Sequence, residues 1–378
     1  MHPDTFLSSL GKATKTFVHP PLVAGPGDEV VESVLREILV PPEVLALAKR
    51  RRDAICTIAV SHPAARDYWH AGSIAQGTEN SPLGDADCGV MINRGFEEFR
   101  VYGPDAGPGG LGPERFIQSF AEYILPRIRE AGYPEVTIDL SGNRALKFDF
   151  HDPVDFDSLG EIDPSVDLII GLERRDGPGV WIPNRRREGW DPAHPQQHTY
   201  LMTHQGGSEL VVHRAHVVRL SKRAIKRDAT SQPVAAMCSW NVSALALATV
   251  RERVAIASAL GASLSESAVA IARGLTEDPA GVAGPIKLPE GCTNQYAATR
   301  LAGMAEVVLA ATEAHSIHEA RQLLEPLFAV EIESIRSRER SRVRRNPLSS
   351  ALRSGDRLAV GSALGAAGAL KPTRSHGA

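Results

Sequence analysis

The sequence predicts an α+β protein in which a module that mixes a sheet with helices is followed by a second, helical module. Short apolar runs of strand type, such as residues 88–93 and 166–172, lie before residue 206. From Gly206 onward these runs fade, and apolar residues recur at the spacing of amphipathic helices. At 378 residues the chain is also long enough for two or three domain-sized units.

The first module shows both kinds of periodicity. Helical spacing of apolar residues predicts three helices, over residues 29–39, 42–60 and 116–130. Short apolar runs predict four strands, over residues 88–93, 136–140, 145–150 and 166–172. This mixture predicts a sheet accompanied by helices.

The second module has helical spacing over five segments, residues 210–227, 233–260, 265–273, 294–314 and 317–336. The end of the chain carries Arg, Ser, Gly, Ala and Pro without periodicity, which predicts disorder. We therefore divide the chain into four parts: a partly helical N-terminal segment (1–40), an α/β core (41–205), a helical domain that closes a cleft (206–341) and a disordered tail (342–378).

The composition is that of an ordinary globular protein, with 43% hydrophobic and 23% charged residues. A formal net charge of −3 gives no overall field to attract nucleic acid, so an anionic ligand would need local basic patches. The four cysteines form no CxxC pair, which argues against a zinc ribbon or a disulfide framework. No apolar run has signal-peptide length at the start or reaches the roughly 18 residues that span a bilayer. We expect a cytoplasmic protein without a membrane partner.

The most informative stretch is residues 70–93, HAGSIAQGTENSPLGDADCGVMIN. Gly72 and Ser73 lie at a tight turn that enters a short helix. The glycine permits close approach of the backbone, the serine offers a hydroxyl, and the helix start presents free N–H groups. Because these features suit a phosphate group, Gly72 and Ser73 are candidate nucleotide-binding residues.

Asp85 and Asp87 follow, directly before the apolar run 88–93. On a strand, residues i and i+2 point to the same face and lie about 6.6 Å apart. Two carboxylates at that spacing can share a pair of divalent ions about 3.5–4 Å apart, and such oxygen ligands suit Mg²⁺ or Mn²⁺ better than zinc. A Gly-Ser turn alone is usually only a turn, and a lone Asp-x-Asp is usually a solvated loop. Their succession in one stretch indicates a catalytic metal site.

This succession resembles the signature of the polymerase-β-like nucleotidyltransferase superfamily. In the form GSIAQGT…GDAD it is most similar to the branch of 2′-5′-oligoadenylate synthetases, cGAS and the bacterial cyclic-oligonucleotide synthases (CD-NTases) of antiphage systems. The resemblance implies a polymerase-β-like nucleotidyltransferase core, a mixed sheet with helices, followed by a helical second module. One departure is Cys88 followed by Gly89. We interpret Cys88 as a buried small hydrophobe, and we expect Gly89 to loosen the strand.

The same resemblance implies further site residues. The superfamily places a third carboxylate on a later strand, and Asp167 fits that position, with Asp149 on the preceding strand as its competitor. The branch carries a lysine near the donor phosphates on the first long helix of its second module, and Lys222 is the best match. Residues 179–195 resemble a loop that forms part of the acceptor-side wall.

The implied activity is that of a nucleotidyltransferase that uses ATP, GTP or both with two Mg²⁺ (or Mn²⁺) ions, held by Asp85, Asp87 and Asp167. Its product would be a cyclic or linear oligonucleotide second messenger of antiphage signalling. Whether a protein or a nucleic acid activates it stays open. An alternative keeps this chemistry but transfers the nucleotide to a small molecule, an RNA 3′ end or a protein. A third hypothesis, a nucleotide sensor on an inactive fold, is disfavoured because all three carboxylates are present.

His194 and His198 have the i,i+4 spacing of metal ligands, but Pro195 follows His194 and no glutamate completes an HExxH pattern. A histidine that contacts the substrate is the other interpretation. The three arginines at 185–187 are either ordinary surface or a contact for an anionic substrate. The sequence leaves these assignments open.

Overall fold

The structure is a computed structural model, and it describes residues 24–107, 109–156 and 159–345. The helices are α1 (Pro26–Ile38), α2 (Pro42–Val60), α3 (Gly72–Gln76), α4 (Pro113–Glu130), α5 (Pro195–His204), α6 (Ser208–Ala229), α7 (Ser239–Thr249), α8 (Ile256–Ala272), α9 (Asn294–Thr312) and α10 (Ile317–Arg345). The strands are β1 (Ala65–His70), β2 (Asp85–Ile92), β3 (Thr137–Asp139), β4 (Ala145–Asp149), β5 (Val154–Asp155), β6 (Glu161–Ile162), β7 (Ser165–Glu173), β8 (Val180–Asn184) and β9 (Gly189–Ala193).

The chain divides into two compact units, one ending at Ala329 and one beginning at Val330. The strands and helices α1 to α9 lie in the first unit; of the second unit the structure describes residues 330–345, which are helical. The predicted boundary at residue 205 falls within the first unit, between α5 and α6. The predicted tail lies outside the described residues from 346 onward, as does the N-terminal segment up to residue 23. None of the described helices is both long and apolar enough to cross a membrane.

A mixed seven-stranded sheet organises the first unit, in the order β1-β2-β7-β4-β3, with β8 paired to β7 and β9 to β8. Strands β2 and β7 run parallel, and the other pairs in this sheet are antiparallel. A parallel pair needs a long crossover, which here contains α4, β3 and β4. The sheet followed by a run of helices confirms the predicted α+β class.

One face of this sheet is buried against α2 and α4. Successive side chains of a strand point to opposite faces, so alternate residues of β2 and β7 enter the core. They are Ala86, Cys88, Val90, Ile92, Val166, Leu168, Ile170 and Leu172. Cys88 is fully buried, as the sequence predicted, and the four cysteines are free thiols. The other face carries Asp85, Asp87 and Asp167 at the start of these strands and a second, smaller apolar cluster around Trp69 further along them.

Two predicted helical segments are wrong. Residues 233–260 do not form one helix, because the chain leaves helical geometry at Val250 (φ −95°, ψ 86°), between α7 and α8. The guanidinium of Arg214 on α6 donates to the Val250 carbonyl at 3.3 Å, so a contact that is distant in sequence supports the break. Helix α8 also includes most of residues 265–273, which were predicted as a separate helix.

The prediction of a loop over residues 179–195 is also wrong. This segment contains β8 and β9, which pair antiparallel around a turn at Arg185–Arg187. Val180 and Ile182 are buried, and the short apolar run Val180-Trp181-Ile182 was a strand signal present in the sequence. The resemblance to a family loop obscured it.

Helix α5 was not predicted at all. It begins with Pro195 at its first position, where the missing backbone N–H costs nothing. The Nδ1 atom of His194 accepts a hydrogen bond from the Gln197 backbone N–H at 3.3 Å and caps the helix. The proline that argued against a zinc motif was therefore also a signal for a helix start.

Gly89 is required by packing. It is the register partner of Trp69 on β1, and a Cβ atom at Gly89 would lie 2.0 Å from the indole ring. The Trp69 side chain is buried against Val180 and Ile182. The departure from the family pattern therefore makes room for an aromatic ring.

We predict that Gly89→Ala lowers the free energy of unfolding by about 1–3 kcal/mol, because the indole has to move out of its packed position. Gly84→Ala is the matched control, since a Cβ atom there meets no atom within 4 Å. Urea unfolding followed by tryptophan fluorescence measures both. Equal stability of the two variants would contradict this account of Gly89.

Candidate active site

The face of the sheet opposite the main core carries the three predicted carboxylates. Asp85 and Asp87 begin β2, and in the parallel register Asp87 stands opposite Asp167 while Asp85 stands opposite Ser165. Neighbouring strands lie about 4.8 Å apart, so register partners carry their side chains next to each other on one face. The structure therefore brings Asp85, Asp87 and Asp167 together.

The three carboxylates repel one another in a partly dehydrated place. Burial, together with repulsion from Asp85 and Asp167, raises the pKa of Asp87 from 3.8 to about 7, although Lys222 opposes the rise. Burial also raises the pKa of Asp167, to about 6, with Asp85 adding to the rise and Lys147 opposing it. Lys222 and Lys147 therefore do not fully compensate the negative charge of this carboxylate cluster.

The Gly72 turn packs directly on this cluster. The Ala71 backbone N–H donates to the Asp87 carbonyl at 3.2 Å, and the chain then turns into α3 with Gly72 at φ 65°. A Cβ atom on Gly72 would lie 1.7 Å from Oδ2 of Asp87, which only glycine avoids. The turn therefore places Gly72 and Ser73 beside the carboxylates, although the contact that requires glycine is with Asp87.

Lys222 reaches the same place from α6. Its Nζ donates to the Thr78 carbonyl at 2.9 Å. Burial lowers the pKa of Lys222, while Asp87, Glu79 and Asp85 act in the opposite direction and favour its charged form. The lysine that the family resemblance selected therefore lies beside both the Asp-x-Asp motif and the segment that follows α3.

The donor set of this cluster fits a divalent cation. In Asp167 the Oδ1 atom is buried and accepts no hydrogen bond within the described chain. Carboxylate oxygens are the ligands that Mg²⁺ and Mn²⁺ prefer. As the side chains stand, no three acidic, histidine or cysteine residues in the described ranges are arranged to hold a metal.

Comparison with known proteins identifies solved structures that share this fold. No family model matches the chain, and no curated protein matches its sequence. Among solved structures, the Bradyrhizobium diazoefficiens CD-NTase CdnG in complex with GTP matches with a TM-score of 0.60 and 15% identity, over 82% of this chain and 98% of that one. The fold is that of a CD-NTase. The family resemblance found in the sequence is thereby confirmed at the level of the fold.

Two further solved structures have a similar fold. E. coli MS115-1 CdnC with ATP matches with a TM-score of 0.53 and 15% identity, over 82% of this chain and 99% of that one. The same CdnC was also solved as a complex with HORMA-deltaN. Vibrio cholerae DncV, a di-nucleotide cyclase in complex with GTP and 5MTHFGLU2, matches with a TM-score of 0.50 and 12% identity, over 81% of this chain and 87% of that one.

Asp149, the competitor for the third carboxylate, lies one strand further from Asp87 on this CD-NTase fold. It belongs to β4, where Lys147 is the register partner of Asp167, and the Lys147 Nζ lies 3.2 Å from Asp149 Oδ1. Asp149 therefore has a cation of its own, whereas Asp167 adjoins the Asp-x-Asp strand. The geometry favours Asp167 as the third carboxylate.

The other sequence candidates contact other groups of the protein. The arginines of Arg185–Arg187 all form ion pairs, with Glu114, Glu290 and Asp191. His194 caps α5, and His198 is buried with its ring edge toward Trp240 at 5.7 Å between centroids. Their roles stay open.

Two residues beside the site were missed by the sequence reasoning. Glu79 and Arg219 form a hydrogen-bonded ion pair next to Thr78 and Lys222. Arg219 stood out only as one of several cations on a basic helix, and Glu79 as a polar residue between two motifs. No local pattern links residues 140 positions apart.

We predict that Gly72→Ala costs more stability than Gly77→Ala. Both glycines have φ 65°, so an alanine at either position pays about 1–2 kcal/mol for the left-handed conformation. At Gly77 the Cβ atom meets nothing within 4 Å, whereas at Gly72 it overlaps the Asp87 carboxylate. Urea unfolding, with and without Mn²⁺, measures the difference. If the two variants lose equal stability and respond equally to Mn²⁺, Gly72 does not pack on Asp87 as described.

We also predict that Asp87→Asn stabilises the metal-free protein at alkaline pH. The folded state raises the pKa of Asp87 from 3.8 to about 7, so this proton contributes stability that is complete below pH 3.8 and is lost as the pH rises through about 7. Asparagine does not titrate and so avoids that loss. We expect the free energy of unfolding of Asp87→Asn at pH 8.5 to exceed that of wild type by about 2–4 kcal/mol.

Urea unfolding in a chelator at pH 5 and pH 8.5 tests this pH dependence. Asp176→Asn is the control, because Asp176 is exposed and lies in the turn between β7 and β8. The electrostatic account would be refuted if the stability of wild type changed between pH 5 and pH 8.5 no more than the stability of Asp87→Asn does.

Proposed function

We propose that this chain is a metal-dependent nucleotidyltransferase that joins nucleoside triphosphates into a cyclic or linear oligonucleotide. The proposal is based on the cluster of three carboxylates: Asp87 lies beside Asp167, and Asp85 is on the same face of the sheet. The Gly72 turn and Lys222 adjoin it. The CD-NTase fold supports the same reaction, since the similar CdnG and CdnC structures contain GTP and ATP, and DncV is a di-nucleotide cyclase.

In this proposal each residue has a defined part. Asp85, Asp87 and Asp167 hold two Mg²⁺ or Mn²⁺ ions, which would supply neutralisation of the triphosphate charge and a lowered pKa of the acceptor hydroxyl. Gly72 and Ser73 bind the β and γ phosphates through backbone N–H groups and the serine hydroxyl. Asp167 is our candidate to take the acceptor proton.

Lys222 adds a positive charge to the phosphate-binding side. Its Nζ uses one hydrogen bond on the Thr78 carbonyl, and an ammonium group has three donors, so two stay available for phosphate oxygens. Burial makes this charge more effective than it would be in water, because the surrounding dielectric is lower. The lysine would therefore contribute both to nucleotide affinity and to stabilisation of the leaving pyrophosphate.

The family resemblance also supports a wider role. We propose residues 41–205 as the catalytic core and 206–341 as the helical domain, with ATP, GTP or both as substrates. The complex of CdnC with HORMA-deltaN is the precedent for seeking a protein activator. Antiphage signalling by the product in the cytoplasm is the cellular role that the family resemblance favours.

The first test is product identification. Purified protein is incubated with the four labelled nucleoside triphosphates and Mg²⁺ or Mn²⁺, the mixture is treated with phosphatase, and resistant products are identified by mass. We expect a cyclic or 2′-5′-linked oligonucleotide. If no such product forms, the assay is repeated with added small-molecule, RNA and protein acceptors, and transfer of label to one of them would favour that alternative.

The site assignment predicts the effect of removing two carboxylates. Asp85→Ala combined with Asp87→Ala should lower turnover by at least about 10²–10³-fold, because loss of even one such electrostatic contact has that effect. Asp176→Ala, which removes an exposed carboxylate in the turn between β7 and β8, should change turnover less than twofold. A double variant that still makes product at the wild-type rate would overturn the assignment.

A further inference from the structure

Helix α6 is attached to the segment after α3 by four hydrogen bonds. Lys222 Nζ donates to the Thr78 carbonyl at 2.9 Å. Arg219 donates twice to Glu79, from Nε to the carbonyl at 3.1 Å and from Nη2 to Oε1 at 3.0 Å. In the reverse direction, Asn80 Nδ2 donates to the Arg219 carbonyl at 2.9 Å. Contacts in both directions fix this part of α6 more firmly than a single bond would.

The ion pair between Arg219 and Glu79 lies in a dehydrated place. Their side chains are only 12% and 8% exposed, and Glu79 Oε2 is buried without a hydrogen-bond partner in the described structure. Taking two charges out of water costs several kcal/mol per ion, which the attraction between them offsets only in good geometry. Such a pair is weak evidence for stability, but its two contacts restrict the orientation of the Arg219 side chain.

The spacing of the contacts determines what they hold in place. Arg219 and Lys222 are three residues apart and therefore share one face of α6, and their partners Glu79 and Thr78 are consecutive. The Thr78 backbone N–H in turn donates to the Ser73 carbonyl at 2.8 Å. Two attachment points about one turn apart fix both the rotation and the axial position of α6 relative to the turn that carries Ser73.

We propose that the Arg219–Glu79 pair is a positioning device that holds Lys222 in place for the triphosphate of the nucleotide substrate. The proposal rests on the proposed nucleotidyltransferase function and adds a residue to it. Arg219 is assigned as a positioning residue, because its guanidinium is engaged by the carbonyl and the carboxylate of Glu79. Arginine is required in preference to lysine, since its planar guanidinium donates in two directions at once.

A double-mutant cycle tests the proposal. The variants are Lys222→Met, Arg219→Gln and the combination, with kcat and KM for ATP and GTP and the melting temperature measured for each. If Arg219 acts through Lys222, each single variant should lower kcat/KM by about 10²-fold, the loss that a misplaced contact causes. The combination should then lose little more than either single variant, because residues that act as a unit are not additive.

Two further variants separate positioning from folding. Arg219→Lys keeps a cation against Glu79 but loses the second contact, so we expect a folded protein whose kcat/KM is still lowered by about 10-fold or more. Lys226→Met removes an exposed cation one turn further along α6 and should leave kcat/KM within twofold of wild type. Active-site titration of each preparation restricts the comparison to folded protein.

The outcomes are distinguishable. If the losses of kcat/KM in the two single variants multiply in the combined variant, Arg219 acts independently of Lys222 and the proposal is overturned. A lowered melting temperature with unchanged kcat/KM of the folded fraction, in either Arg219 variant, would reduce the pair to scaffolding and also overturn it. A wild-type protein that neither binds nor consumes nucleoside triphosphates would overturn the proposed function first, and this inference with it.

Discussion

The parallel pairing of β2 with β7 is the constraint on which the site depends. A strand alternates its side chains between two faces, so a slip of one residue would exchange the buried and polar sets. Leu168 and Cys88 are fully buried register partners, and Asp87 and Asp167 occupy the alternate positions. The hydrophobic effect therefore fixes the carboxylates indirectly, by fixing the register of the strands that carry them. The polar cluster is held by the core on the opposite face of the sheet.

Local chemistry made part of this predictable. The Asp-x-Asp spacing, the Gly-Ser turn and the apolar run after them lie within 24 residues, and each has a physical meaning that a single sequence displays. Helices α2, α4 and α6 were predicted because their apolar residues recur at helical spacing over many turns. Asp167 and Lys222 were selected only through the family resemblance, and the structure places both beside Asp87. Their chemical roles stay predictions.

What could not be predicted depends on contacts between distant parts of the chain. Val250 ends a helix whose apolar run seemed continuous, and the contact from Arg214 is 36 residues away in sequence. Gly89 seemed to weaken a strand, yet it accommodates Trp69 on the neighbouring strand. The ion pair of Glu79 with Arg219 leaves no periodic signal, because neither residue belongs to a pattern that includes the other. Propensity and periodicity describe only neighbours in sequence.

The close approach of Gly72 to Asp87 has an evolutionary consequence. No side chain fits at position 72 while the carboxylate keeps its place, so the two positions are constrained to change together. A mutation at Gly72 would be tolerated most easily after a smaller residue had replaced Asp87, because the overlap is steric and reaches the Cγ and Cβ atoms of Asp87. In descendants of this sequence, any residue other than glycine at position 72 would mark a lineage released from selection on the carboxylate cluster, even where the rest of the fold is intact.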